Sequence, residues 1–112
     1  MMRVLQYKNE DLDVMLEFKS EYQNIRIDLK NNEYIEFYGN CLLIHTENTM
    51  FKVREKISNS LEKLEPVGFI RIHKSYIINK VHIKTKSYNK VCMKSNASIP
   101  AGNKYRSKIN SH

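Results

Sequence analysis

Between Pro66 and His112 this 112-residue chain has neither Asp nor Glu, yet the same stretch carries ten Lys or Arg. All twelve carboxylates lie in residues 1–65 against nine bases, so the front part is at −3 and the rear at +10. A cationic surface of this kind repels itself unless a polyanion sits on it, and nucleic acid and anionic lipid are the common candidates. The rival reading is an exposed lysine-rich face kept for solubility. Glycine occurs only at Gly39, Gly68 and Gly102, which excludes a glycine-rich phosphate cradle. Cysteine occurs twice, at Cys41 and Cys92, without the close spacing of a zinc or dithiol motif, and reduced, part-buried thiols are expected. No apolar run approaches the ~20 residues that cross a bilayer. The opening MMRVLQYKNEDLD puts acids where a secretory signal needs an apolar core, so a cytoplasmic protein is expected.

What is present reads mostly as β-structure. Residues 1–11 show no clean period and are expected to be a loose arm or an irregular first strand. Leu12, Val14, Leu16 and Phe18 alternate with charged or flexible residues, as do Ile25, Ile27 and Leu29, which is the period of half-buried strands. Asn31 and Asn32 are turn residues, and Tyr34 to Tyr38 form a short aromatic strand reversing at Gly39-Asn40 into Cys41 to Thr46. After a turn at Glu47 to Thr49, Met50 to Val53 read as a strand. The period then lengthens: Val53, Ile57, Leu61 and Leu64 recur at helical spacing, with charges on the other face, until Pro66 and Gly68 stop the pattern. Strand-like segments follow at Phe69 to Ile72, Tyr76 to Ile78, Val81 to Ile83 and Val91 to Lys94, then Ile99-Pro100 and a turn at Ala101-Gly102-Asn103. Tyr105 and Ile109, four apart, suit a terminal helical turn.

Catalytic chemistry finds little support. His45, His73 and His82 lie on three separate segments and His112 at the terminus, with no metal-site spacing and no cofactor motif. His73 near Ser75 lacks a local carboxylate, although Glu33 or Glu36 could arrive through folding. Glu36 reads better as a strand-edge charge or a partner for a nearby lysine. The expected protein is not an enzyme and has no small-molecule substrate. The rear instead places basic and amide side chains at turns: Lys74 and Ser75, Lys86 to Lys90, then Asn103, Lys104 and Arg106. Lys and Arg neutralise phosphates, and Asn pairs with adenine in the major groove through two hydrogen bonds. For any one of these residues taken alone, hydration of its own turn is the better account. The seven Tyr and four Phe are read as packing rather than base-stacking platforms. The segment from Arg54 to Leu64 is near neutral, which argues against a membrane except through a partner protein. The alternative to nucleic acid is a basic protein- or membrane-interaction module.

The segment Phe69-Ile70-Arg71-Ile72-His73-Lys74-Ser75-Tyr76-Ile77-Ile78-Asn79 resembles the central signature of the LytTR family of bacterial DNA-binding domains. Tyr34-Ile35-Glu36, Ile44-His45-Thr46, the helix from Val53 to Leu64, and Ile99-Pro100-Ala101 through Tyr105 resemble its other parts, in order. The resemblance implies a mainly β fold, an elongated stack of small antiparallel sheets with one central amphipathic helix and a short C-terminal helical turn. It implies residues 1–24 as an N-terminal arm and first strand and 25–112 as the LytTR-like part of a single domain. It further implies a transcription regulator binding double-stranded DNA at paired direct repeats, with a homodimer on DNA possible, loops entering successive major grooves and the stretch between following the minor groove. Base-reading positions then fall on Asn40, Lys74 and Asn103, and phosphate contacts on Ser75, Lys90, Lys104 and Arg106. His73 and Tyr76 to Asn79 become fold-setting. The family commonly has Val-Ser-Arg where this chain has Ala101-Gly102-Asn103, so the guanine-reading arginine is missing; Asn103 would favour adenine, or Lys104 takes over. The family's regulators often carry a receiver domain in front, which the first eleven residues cannot form, so either a stand-alone regulator or an excised output domain is expected.

Overall fold

In the computed structural model, which describes residues 2–6, 14–19 and 24–105, the chain folds as three antiparallel sheets and one helix. The first sheet holds β1 (Met2–Gln6), β2 (Val14–Lys19) and β3 (Asn24–Asp28) in sequence order. The central sheet contains β4 (Asn32–Tyr38), β5 (Cys41–Thr46), β6 (Met50–Arg54), β7 (Phe69–His73) and β8 (Tyr76–Asn79), in the order β6-β5-β4-β8-β7. The third holds β9 (Ile83–Lys86), β10 (Lys90–Met93) and β11 (Ser98–Pro100), with β10 in the middle. Helix α1 runs Ile57–Leu64 between β6 and β7. Principal extents of 38 × 37 × 25 Å describe a flattened body with two long axes rather than one.

The period-2 patterns become two cores on opposite faces of the central sheet. Ile35, Leu42, Ile44, Val53, Phe69 and Ile77 face one way and pack with Leu16, Phe18, Ile25 and Ile27 of the first sheet and with Ile57 and Leu64 of α1. Ile70, Ile72 and Ile78 face the other way and pack with Val91, Met93 and Ile99 of the third sheet. The central sheet is therefore an inner layer over its β7–β8 half. Burying both faces explains why Phe69 to Ile72 and Tyr76 to Ile78 read as near-continuous apolar runs.

Five sequence expectations are refined or changed. Residues 2–6 form a regular strand, with Met2 opposite Phe18 and Gln6 opposite Val14; the Leu12 end of the expected second strand lies outside the described residues. The helix begins at Ile57 rather than Val53. Val53 lies opposite Leu42 in the β5–β6 ladder, and the chain is still extended at Lys56 (φ −76, ψ 139), so Val53 kept the helical spacing while pointing into the same core from a strand. Val81 lies in a 3-10 turn, Lys80–His82, capped by the Asn79 side chain, and is exposed. Tyr105 lies in the 3-10 turn Asn103–Tyr105, while Ile109 falls outside the described residues. Glu17, placed on the polar side of its strand by alternation, is buried and accepts a hydrogen bond from Arg26 Nε at 3.0 Å. A buried carboxylate persists only with such a partner.

Gly68 ends the helical segment at φ +106, where an L side chain is strained whatever the space around it. Its carbonyl also accepts the Lys80 amide at 3.1 Å. Gly68→Ala is expected to lower unfolding free energy by about 1 to 2 kcal/mol, read as a shift of the urea midpoint at unchanged slope.

Candidate nucleic-acid interface

The turns carrying the predicted contact residues converge on one end of the molecule because the ladders bring them there. Glu36 lies opposite Tyr76 in the β4–β8 pair, so the tips that follow, Gly39-Asn40 after β4 and Lys74-Ser75 before β8, emerge at the same end of the central sheet. The Phe37 amide donates to the Ser75 carbonyl at 2.8 Å and fastens the two tips together. Beyond β7, the Gly102 amide donates to the Ile72 carbonyl at 2.8 Å, which seats the Gly102-Asn103 turn beside Lys74. The Ala101 amide donates to the Asn89 carbonyl at 2.9 Å and brings in the β9–β10 hairpin tip with Lys90. Asn40, Lys74, Lys90, Asn103 and Lys104 are all exposed, and Ser75 is half-buried. Arg106 lies outside the described residues.

Arg71, which no pattern in the sequence singled out, ties this end together. Its Nε donates to the His73 carbonyl at 3.2 Å and its NH2 group to the Lys74 carbonyl at 2.6 Å. The same guanidinium lies over the Tyr105 ring, 5.5 Å from its centroid, with Lys104 Nζ 5.9 Å from that ring. One side chain thus holds both the Lys74 turn and the Asn103–Tyr105 turn. A bulge in the β7–β8 ladder between Arg71 and His73 gives the local bend by which a strand end re-aims a side chain. Only the isolation of an arginine between Ile70 and Ile72 hinted at this in the sequence.

His73 is held by its own turn rather than by a carboxylate. Its Nδ1 accepts the Ser75 backbone N–H at 3.1 Å, the nitrogen an orienting carboxylate would have to reach. Glu36 is occupied elsewhere: it accepts from the Tyr76 hydroxyl at 3.2 Å and stands 3.5 Å from His45 Nε2, so its partners are aromatic and imidazole groups rather than a lysine. Glu33 is buried and accepts from the Ser95 hydroxyl. Asn79, read as fold-setting, donates from Nδ2 to the carbonyls of Leu29 and Asn32 at 3.1 and 2.9 Å, joining β8 to the turn before β4.

A family model described as the LytTr DNA-binding domain matches residues 22–112. The chain belongs to this family. Within it, this LytTR domain is 49% identical over 41 residues to the transcriptional regulatory protein LytR of Staphylococcus aureus, in strains N315 and NCTC 8325 / PS 47 alike. That match takes in 37% of this chain and 17% of the relative, so the chain spans about a sixth of the curated relatives' length. The solved LytTr DNA-binding domain of a putative methyl-accepting/DNA response regulator from Bacillus cereus superimposes with a TM-score of 0.73 at 20% identity, covering 87% of this chain and 94% of that one. At that identity the likeness is one of fold. The stacked antiparallel sheets and single helix of this LytTR domain are that fold.

Around Glu36 the LytTR domain keeps a half-buried aromatic cluster: Tyr34 stacks on His45 at 4.2 Å between centroids, and His73 meets Tyr76 edge-on at 5.5 Å. Burial, and then the Glu36 carboxylate, push the Tyr76 phenol above its ordinary range; burial, then Glu33 and Glu36, do the same for Tyr34. Both phenols stay protonated at neutral pH, and Tyr76 remains a donor to Glu36.

Proposed function

We propose that this chain is a non-catalytic, sequence-specific reader of double-stranded DNA acting as a cytoplasmic transcription regulator. Asn40, Lys74 and Asn103 read base edges, while Ser75, Lys90, Lys104 and Arg106 hold phosphates. The observation that carries this reading is the tethering of three exposed turns, one after another, to the end of a rigid sheet. Loops fixed on a scaffold present side chains at constant spacing, which base readout requires and simple solvation does not. Charge supports it: the acid-free rear supplies the cations of these turns, and its buried Met93, Val91 and Ile99 anchor the hairpin that carries Lys90.

The functional groups fit the major groove. Asn donates and accepts at adenine N6 and N7, and Lys donates to guanine O6 and N7. Asn103 at the place where the family commonly carries arginine points to adenine at that position, with Lys104 beside it on the backbone. Paired direct repeats, with two copies side by side, are the arrangement we expect on DNA.

The test is selection of bound fragments from random duplex DNA, followed by titration of the enriched duplex against salt. The four lysine and arginine contacts, Lys74, Lys90, Lys104 and Arg106, predict a slope of log affinity on log salt of roughly −3 to −4. A selected pool no tighter than the starting pool, or an affinity that barely moves between low and physiological salt, overturns the reading.

A further inference from the structure

The row of strand ends that presents Asn40, Lys74 and Asn103 continues on the far side of Asn40 into a pair of cations that nothing above assigns. Arg54, the last residue of β6, lies opposite Cys41, and Cys41 lies opposite Tyr38, so Arg54 stands beside the Gly39-Asn40 tip. Lys56 follows two residues later, where the chain is still extended before α1. Both are exposed. With Phe37, Asn40 and Glu55 they line an open recess of about 240 Å³ at this end of the sheet.

The sheet fixes the order along the edge as Arg54 at the end of β6 with Lys56 just beyond it, Asn40 between β4 and β5, Lys74 between β7 and β8, then Asn103. Neighbouring strands are about 4.8 Å apart, so the five strands from β6 to β7 place these two ends roughly 19 Å from one another. A major groove is roughly 12 Å wide. With the Asn40 tip in a groove, an edge of this length overhangs it, and its outer end lies over the sugar–phosphate chain bounding that groove. The overhanging end is cationic.

We infer that Arg54 and Lys56 clamp backbone phosphates flanking the segment next to Asn40, extending the DNA footprint onto the β6–α1 junction. This rests on the duplex-reading function proposed above. Glu55 lies between the two bases and opposes them. One of its oxygens, Oε2, is enclosed and has no hydrogen-bond partner among the described residues, so half of this carboxylate is hidden from an approaching phosphate. Two cations against one partly hidden anion leave a net positive edge. Glu36, the other acid near this end, is held by Tyr76 and stands beside His45.

The experiment uses the full chain and a duplex enriched from random DNA, measured by fluorescence anisotropy over a salt series. Arg54→Ala and Lys56→Ala are each expected to weaken binding about fivefold to tenfold near 0.1 M salt, on selected and random duplex alike, and to make the salt slope shallower by about 1. Arg54→Lys keeps the charge and stays near the parent. Glu55→Gln removes the opposing acid and tightens binding by a similar factor. Lys30→Ala serves as the control, because Lys30 is exposed in the 3-10 turn before β4, at the opposite end of that strand from Asn40. It should change affinity less than twofold. Trimming base pairs from one end of the duplex should weaken the parent as much as Arg54→Ala plus Lys56→Ala do, and should cost that double variant nothing further.

Affinities and slopes for Arg54→Ala and Lys56→Ala within error of the parent overturn the clamp, and so does an equal loss for Lys30→Ala. If those two variants are silent while Lys74→Ala and Asn103→Ala still impair binding, the duplex-reading function stands and only the clamp falls. If the parent itself binds no duplex, both fall.

Discussion

Lys74→Ala combined with Asn103→Ala is expected to lower affinity for the selected duplex by about 2 to 6 kcal/mol, taking roughly 1 to 3 for each base-reading side chain. Binding to random duplex should fall far less, by no more than the loss of one cation. Both side chains are exposed on turns, so neither truncation opens a cavity, and the melting transition should stay where it was. The two residues are coupled, however, because Arg71 grips the Lys74 carbonyl and lies against Tyr105 in the turn that starts at Asn103. A double-mutant cycle should therefore depart from additivity. Arg71→Met, which keeps the stem and loses the donors, should loosen both turns and reproduce part of the loss of specificity without removing a base contact. Equal losses on selected and random DNA for the double variant would move Lys74 and Asn103 from base reading to phosphate binding.

How legible was this in the sequence? The strands with a clean alternation were readable because the period-2 signal is local: Cys41 to Thr46, Tyr34 to Tyr38 and the Gly39-Asn40 reversal all stand where spacing put them, with Gly39 at φ +62. What stayed hidden depends on partners far along the chain. Residues 2–6 are a strand because β2 lies beside them, not because their own pattern alternates. Val53 satisfied a helical period and a strand face at once, and only its pairing with Leu42 decides between them. The Arg26 bond that makes Glu17 tolerable inside, and the Ser95 bond that does so for Glu33, join segments nine and 62 residues apart. The turns proposed to make contacts drew notice as chemistry, since Lys and Asn at turns are visible in a one-dimensional string. Their convergence was not legible, because it runs through the amides of Phe37, Ala101 and Gly102 and through Arg71, none of which carries a sequence signal for contact.

Ile72→Ala is expected to destabilise the fold by about 2 to 5 kcal/mol, a large part of the 5 to 15 that hold a domain of this size together. Ile72 is fully buried with Ile70, Ile78, Val91, Met93 and Ile99, and its own carbonyl accepts the Gly102 amide. Truncation opens a cavity under the seat of the Gly102-Asn103 turn, so the damage should be local to the reading edge as well as global. Leu64→Ala provides the comparison: Leu64 is equally buried, but in the other core, on α1. The two variants should shift the urea midpoint by similar amounts. At a temperature where both remain folded, Ile72→Ala should also reduce the ratio of selected to random binding, while Leu64→Ala should leave that ratio alone. A rigid sheet can hold base-reading turns in register only if the core beneath them is the one that matters. An equal fall in the ratio for both variants would mean that the turns follow overall stability and are not seated by the β7 and third-sheet core.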